Sequence, residues 1–199
     1  MNIDKIVLAT GNSGKVKEFS ELFASQKITV VAQSEYAVES VPETGTTFVE
    51  NAIIKARHAA VQTGLPAIAD DSGLVVEALN GAPGIYSSRF AGCNATDSEN
   101  IFKLLETLKN QPNRAAHFHC CLVFMRHADD PIPIICEGQW YGEITVSEYG
   151  DGGFGYDPVF FDKSIGSTAA QMQKQHKNKV SHRAIALKSL LTQMRAMLD

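Results

Sequence analysis

With 199 residues, 44% of them hydrophobic and 20% charged, the chain has material for one large domain, or one domain of two lobes, around a sizeable core. A formal net charge of −4 with no block of like charges argues against a general binder of nucleic acid or membrane surfaces, which would carry a basic stripe. No signal pattern or transmembrane-length apolar run is present, and Cys93, Cys120, Cys121 and Cys136 form no CxxC, so they read as reduced core residues of a cytosolic protein.

The apolar run Ile6-Val7-Leu8 predicts a strand that stops at Thr10-Gly11-Asn12-Ser13-Gly14-Lys15. Val16, Phe19, Leu22 and Phe23 then recur as on one helical face, giving strand, tight loop, helix. Loop N–H groups, a helix start and a lysine together suit a polyanion, although the same residues also make an ordinary strand-to-helix turn. The loop is not a Walker A motif, because Ala9 stands where that motif needs glycine and Val16 where it needs a hydroxyl. Any metal must therefore be held elsewhere.

Ile28–Val31 predicts a short strand, and 34–45 a loop carrying Glu35, Glu39, Pro42 and Glu43. Thr47 and Glu50 form a capping-box pattern opening a helix that runs to about Thr63 and stops at Gly64. Leu65–Ala69 reads as a strand ending in Asp70-Asp71-Ser72-Gly73, with Leu74–Leu79 a further strand. A loop at Gly81–Gly84 precedes a second capping box, Thr96 with Glu99, and a helix to about Lys109. Ala116–Arg126 and Ile132–Ile144 predict two long strands joined as a hairpin through 128–131, expected to build a second lobe. Gly150–Gly155 is too rich in glycine for regular structure. Leu187, Leu190, Leu191, Met194 and Leu198 line one face of a last helix. This order of elements predicts an α/β protein with a twisted mixed sheet and a cleft between two lobes.

Several groups could carry chemistry. Asp70 and Asp71 are hard oxygen donors suited to Mg²⁺, but neighbours on a strand face opposite ways, and a turn with an Asx cap competes with the functional reading. Glu43 is a second candidate carboxylate. Asn51 and Lys55 stand one turn apart, opposite Phe48, Ala52, Ile53, Ala56 and Ala60, where they could reach a phosphate or simply face water. Ser181 reads as an N-cap that puts His182 and Arg183 in the first helical turn, against the helix dipole at a cost of a few tenths of a kcal/mol. Lys177 and Lys179 precede them, so the cluster either holds an acceptor-rich ligand or is a basic surface turn. Gly152-Gly153-Phe154-Gly155-Tyr156-Asp157-Pro158 sets aromatics among glycines, for stacking on a base or for burial of Phe154. His117 and His119 share a strand face without a third ligand at metal spacing, which disfavours zinc.

In this order and spacing, TGNSGK at 10–15, ETGTTFVENAIIKA at 43–56, ADDSGL at 69–74, GAPGIYSSR at 81–89, GGFGYDP at 152–158 and SHR at 181–183 closely resemble the inosine triphosphate pyrophosphatase family of non-canonical purine NTP pyrophosphatases. The resemblance spans nearly the whole chain. It implies a single two-lobed domain over 1–199, elongated, with a central cleft, and a cytoplasmic homodimer. The implied reaction is Mg²⁺-dependent hydrolysis of the α–β phosphoanhydride of ITP, dITP and XTP to monophosphate and pyrophosphate.

Carried onto this chain, Thr10, Gly11, Asn12, Ser13, Gly14 and Lys15 would meet the triphosphate, helped by Lys55 and Asn51. Glu43 and Asp71 would hold Mg²⁺, and Asp71 would orient or deprotonate the attacking water, with Lys15 and Lys55 sharing the catalytic work. Ser72 would lie against the substrate. Phe154, Gly155, Tyr156 and Asp157, with Lys177, Ser181, His182 and Arg183, would form the base pocket. One departure is His176, where family members commonly carry an acidic residue.

Overall fold

The computed structural model describes residues 3–11 and 13–198, without the side chains of Ser13, Glu18, Glu21, Leu22, Ser25 and Leu198. Lys5–Leu8 (β1) and Thr29–Ala32 (β2) pair in parallel, Ile6 opposite Val30. Between them Ser13–Phe23 (α1) buries Phe19 and Phe23 completely, while Val16 is half-buried. The Leu22 position of the expected face lies outside the described side chains. The helix starts earlier than the sequence suggests, so Gly14 and Lys15 belong to its first turn and not to the loop.

Phe48–Thr63 (α2) begins where the cap predicts. The Thr47 hydroxyl accepts the Glu50 N–H at 3.3 Å, and Gly64, at φ +66°, closes the last turn onto the Ala60 carbonyl. The box is displaced by one residue, because the Glu50 carboxylate accepts from the Thr46 N–H at 2.8 Å.

Ala67–Val76 (β3) pairs in parallel with β1 and corrects the expected strand–turn–strand: it runs unbroken through Asp70-Asp71-Ser72-Gly73. The turn is unnecessary because each aspartate finds a cation on its own face of the strand. Beyond Val76, residues 77–79 turn once as a 3₁₀ helix where the sequence suggested more strand. Asp97–Thr107 (α3) has the reciprocal Thr96–Glu99 capping box. Ala115–Met125 (β4) and Ile134–Ile144 (β5) are followed by the short antiparallel strands Phe160–Asp162 (β6) and Ser167–Thr168 (β7). Lys174–Val180 (α4) has no counterpart in the sequence reading, and His182–Leu198 (α5) closes the chain. The seven strands form one mixed sheet in the order β2-β1-β3-β4-β5-β6-β7, and with the helices they make the α/β architecture expected.

Two compact units divide the chain: residues up to Asp71 with Cys121–Glu137 and Ala186 onward, and Ser72–Cys120 with Gly138–Ile185. The β4–β5 hairpin is therefore not a lobe of its own. Its tip belongs to the first unit and its open end to the second, since a strand of 11 residues reaches about 35 Å and supplies side chains to two cores. In the first unit the contact of α2 with the sheet is built of small residues, Ala52, Ala56, Ala59 and Ala60 of α2 with Ala67 and Ala69 of β3 and Val123 of β4, while Ile6, Leu8, Phe19, Phe23 and Phe124 are fully buried outside that contact. The second is built of large ones, Leu104, Leu108, Phe118, Trp140, Tyr156 and Phe160. There Phe118 lies 4.5 Å from Phe160, and Trp140 donates its indole N–H to Asp162 at 2.7 Å.

Leu187, Leu190 and Met194 bury the expected face of α5, Leu191 is half-buried, and the Leu198 side chain is outside the described set. Cys120, Cys121 and Cys136 are buried thiols outside any disulfide, with Cys121 pushed up to about 12, chiefly by burial. Cys93 corrects the expectation of four core cysteines, for it is exposed. Among the described residues no helix is long and apolar enough to cross a membrane.

Candidate active site

The pleat of β3 organises the charges of the first unit. Asp71 shares a strand face with Ala67 and Ala69, which pack against α2, and Lys55 projects from that helix. The Lys55 ammonium donates to Asp71 Oδ1 at 2.7 Å and to Glu43 Oε1 at 2.9 Å. Asp70, one residue back, points to the opposite face, where it pairs with Lys15 from the first turn of α1. Glu43, Lys55 and Asp71 are thus brought together on one face of β3, while Lys15 meets Asp70, the other aspartate of the pair, on the opposite face. On the α2 face one ammonium, that of Lys55, meets two carboxylates.

The Asp71 carboxyl lies above its ordinary range. Burial is the main cause; Lys55 pulls it down, and the charges of Glu43 and Asp70 push it further up. Burial would lower Lys55, but Asp71 and Glu43 outweigh that and hold it above the usual lysine value. Lys55 bridges two carboxylates as a bound cation would, and an all-oxygen donor set of this kind suits Mg²⁺. Among the described residues no three His, Cys, Asp or Glu side chains are arranged as a complete metal cage. An ion held by Glu43 and Asp71 would fill its shell with water and phosphate oxygens, the habit of Mg²⁺.

Asn51 is not on a solvated face beside Lys55; it is fully buried. Its Oδ1 accepts the Gly45 N–H at 2.9 Å, which ties down the loop carrying Glu43. Gly45 must be glycine here, since a Cβ would fall 2.6 Å from Glu50 Cβ and 2.8 Å from Asn51 Oδ1. The Asn51 Nδ2 has no hydrogen-bond partner, an orphan donor of the kind an anion satisfies. Thr10 is half-buried, Gly11 and Gly14 are exposed, Asn12 lies outside the described residues, and so does the Ser13 side chain. Lys15 nevertheless stands at a helix N-terminus, where anions are favoured.

In the second unit Ser72 is half-buried on β3. Phe154 is not a core residue: it is 59% exposed, with the Lys177 ammonium 5.0 Å from its ring centre. Its N–H donates to Asp157 at 2.9 Å, and Asp157, itself buried, also pairs with Lys177. Gly155 donates to Asp97 at 2.6 Å. Tyr156 turns into the core, its hydroxyl donating to the Ser87 carbonyl at 2.8 Å and its ionisation pushed up mainly by burial. Ser181 caps α5 by accepting the Ala184 N–H at 3.3 Å.

His182 and Arg183 are only 7% and 8% exposed, which rules out a basic surface turn, and His182 stacks on Phe118 at 4.9 Å. His117 and His119 meet each other edge-on and His117 lies against Tyr141, so their shared face is occupied by aromatic contacts. Asp97, Ser87 and Phe118 escaped the sequence reading. Only the motif at 81–89 signalled one of them, by pairing serines with a tyrosine and an arginine without an evident task.

Lysines at a helix start and on a second helix are thus set against carboxylates of one strand in an α/β fold. The Ham1 family model matches residues 6–193, and the chain belongs to that family. It is 58% identical over 195 residues to the dITP/XTP pyrophosphatase of Salmonella typhimurium, covering 97% of this chain and 99% of that protein. The dITP/XTP pyrophosphatase of Escherichia coli O157:H7 is 57% identical over the same shares. Among solved structures, a HAM1 protein from Coxiella burnetii superposes with a TM-score of 0.94 at 52% identity over 96% of this chain and 98% of that one. The Staphylococcus aureus Ham1 protein gives 0.90 at 42% identity, over 97% and 99%.

Proposed function

We propose that this chain is a Mg²⁺-dependent nucleoside-triphosphate pyrophosphatase that converts ITP, dITP and XTP to the monophosphate and pyrophosphate, clearing non-canonical purines from the nucleotide pool. The observation that carries the reading is the bridge from Lys55 to Glu43 and Asp71, with Lys15 and Asp70 paired on the other face of the same strand. The names of the relatives, dITP/XTP pyrophosphatase, agree with it.

When bound at Glu43 and Asp71, Mg²⁺ would neutralise triphosphate charge and polarise phosphorus. The residues of the chain do the remainder. Lys15 and Lys55 exchange carboxylate partners for phosphate oxygens, stabilising charge that builds on the departing pyrophosphate. Release of Lys55 frees a carboxylate oxygen of Asp71 to act as general base. It takes a proton from water as the water oxygen bonds to the α-phosphorus, and the bond from that phosphorus to the bridging oxygen breaks.

Selectivity against adenine follows from hydrogen-bond sense, and selectivity against guanine, which shares the C6 carbonyl, falls on its 2-amino group. Hypoxanthine and xanthine carry a C6 carbonyl, which a donor on His182 or Arg183 satisfies, whereas the adenine amino group would set donor against donor. The homodimeric state and cytoplasmic location implied by the sequence resemblance belong to the same proposal, with sedimentation velocity the check on the first.

Pyrophosphate release from ITP, XTP, dITP, GTP and ATP, with Mg²⁺ and after chelation, tests the whole. Turnover of the first three, poor use of the last two and loss on chelation is the expected result. Equal use of all five discards the base pocket, and release unaffected by chelation discards the metal.

A further inference from the structure

The glycine-rich loop that presents Phe154 is held from outside. The Gly155 N–H donates to the Asp97 carboxylate at 2.6 Å, across 58 residues of sequence, while the preceding N–H is taken by Asp157. Asp97 is the first residue of α3, and α3 is itself fixed by more than its cap. Asn100 accepts the Ala91 N–H at 2.8 Å and donates to the Ser88 carbonyl at 3.2 Å. Ser87 accepts the Leu74 N–H at 2.8 Å and offers its carbonyl to Tyr156. The 84–91 segment, which had no chemical role in the sequence, thus joins α3 in a bracket that grips the loop at Gly155 and Tyr156.

What the bracket holds out is a large apolar ring. Loop geometry leaves little freedom: Gly153 has φ +78°, and a Cβ there would lie 1.9 Å from Asp157 Oδ2. Yet Phe154 remains 59% exposed, and Lys177 covers only one of its faces. A restrained loop that keeps a phenyl ring in water offers its other face to a planar ligand, since every base has a π-face to stack.

We propose that Asp97 is a positioning residue: by holding the Gly155 N–H it sets the Phe154 ring as a stacking platform for the purine, and so governs affinity for the nucleoside and not for the phosphates. The inference rests on the nucleotide reading above.

The test compares Asp97→Ala, Asp97→Asn and Glu99→Ala in the full chain with Mg²⁺. It reads amide hydrogen exchange at Phe154 and Gly155, kcat and KM for ITP, and inhibition by inorganic pyrophosphate. Asp97→Ala should speed exchange at both amides and raise KM for ITP roughly five- to tenfold, a fraction of what one stacked base contributes, with pyrophosphate inhibition unchanged. Asp97→Asn keeps an acceptor oxygen and should restore both. Glu99→Ala weakens the same helix start without touching Gly155, so it should lower the melting temperature and leave KM alone.

An unchanged KM in Asp97→Ala, an equal rise in Glu99→Ala, or a parallel loss of pyrophosphate binding overturns the proposal. A wild type that turns over no purine nucleotide overturns the functional reading and the platform with it, while the exchange data separately decide whether Asp97 anchors the loop.

Discussion

Two contacts of the molecule are packed in opposite ways, the α2 face of the first unit and the interior of the second. The first brings α2 onto the sheet through alanines, Ala52, Ala56, Ala59 and Ala60 against Ala67 and Ala69. The second fills its interior with Phe118, Trp140, Tyr156 and Phe160. Small residues let a helix backbone come close, so a lysine on α2 can reach a carboxylate on β3 with its ammonium still half-sheltered from water. Large aromatic residues instead make rigid walls, against which His182 stacks and from which the Phe154 loop is suspended. One contact positions charge and the other positions flat rings.

That contrast can be broken at chosen points. Asp71→Asn should have the largest effect, a fall in kcat of about 10²–10⁴-fold if the carboxylate acts as general base, measured as pyrophosphate release from ITP. Ala56→Leu should come next. Forcing a larger side chain into the alanine contact should cost about 3 kcal/mol in urea unfolding, and should depress kcat further than that loss of stability explains, because Lys55 rides on the displaced helix.

Trp140→Phe probes the other unit. It removes the indole donor from buried Asp162 and should cost about 2 kcal/mol, with pyrophosphate release well below the melting range near wild type. An equal loss of kcat in both core variants would erase the division of labour. The smallest effect is expected at the hairpin tip of the first unit, where Asp130 accepts from the Arg126 side chain and N–H and is held well below the usual carboxylate range, mainly by that side-chain hydrogen bond. A depressed carboxyl stabilises the fold above its unfolded pKa of about 3.9 and loses that contribution as pH falls through the folded value. Asp130→Asn should therefore cost about 1 kcal/mol at pH 7, and the gap from wild type should close as the pH is taken below about 4 in the unfolding series.

Local chemistry made much of the fold readable. Thr47, Gly64 and the Thr96–Glu99 pair mark helix ends because each acts within one turn of its own position. Asp70-Asp71-Ser72-Gly73 misled because its turn propensity is equally local, while the partners that keep it extended, Lys15 and Lys55, arrive from 55 and 16 residues away. α4 was invisible since its seven residues carry no apolar period. The grouping of Glu43, Lys55 and Asp71 was legible through the family resemblance of the motifs at 43–56 and 69–74, not from the residue types alone. The burial of Asn51 was not, because it depends on the loop at Gly45 folding back over α2.

The alternation of Asp70 and Asp71 also constrains how such a strand can change. Two helices deliver one positive charge each, and consecutive residues of β3 receive them on opposite sides. Adding a single residue between Ala67 and Asp70 would set Asp70 in the place of Asp71, opposite Lys55, and leave Lys15 without its carboxylate; losing one would set Asp71 opposite Lys15 and Ser72 before Lys55. A slip of one residue in either direction therefore keeps one ion pair and loses the other, so the doubled aspartate serves both lysines in a single register only.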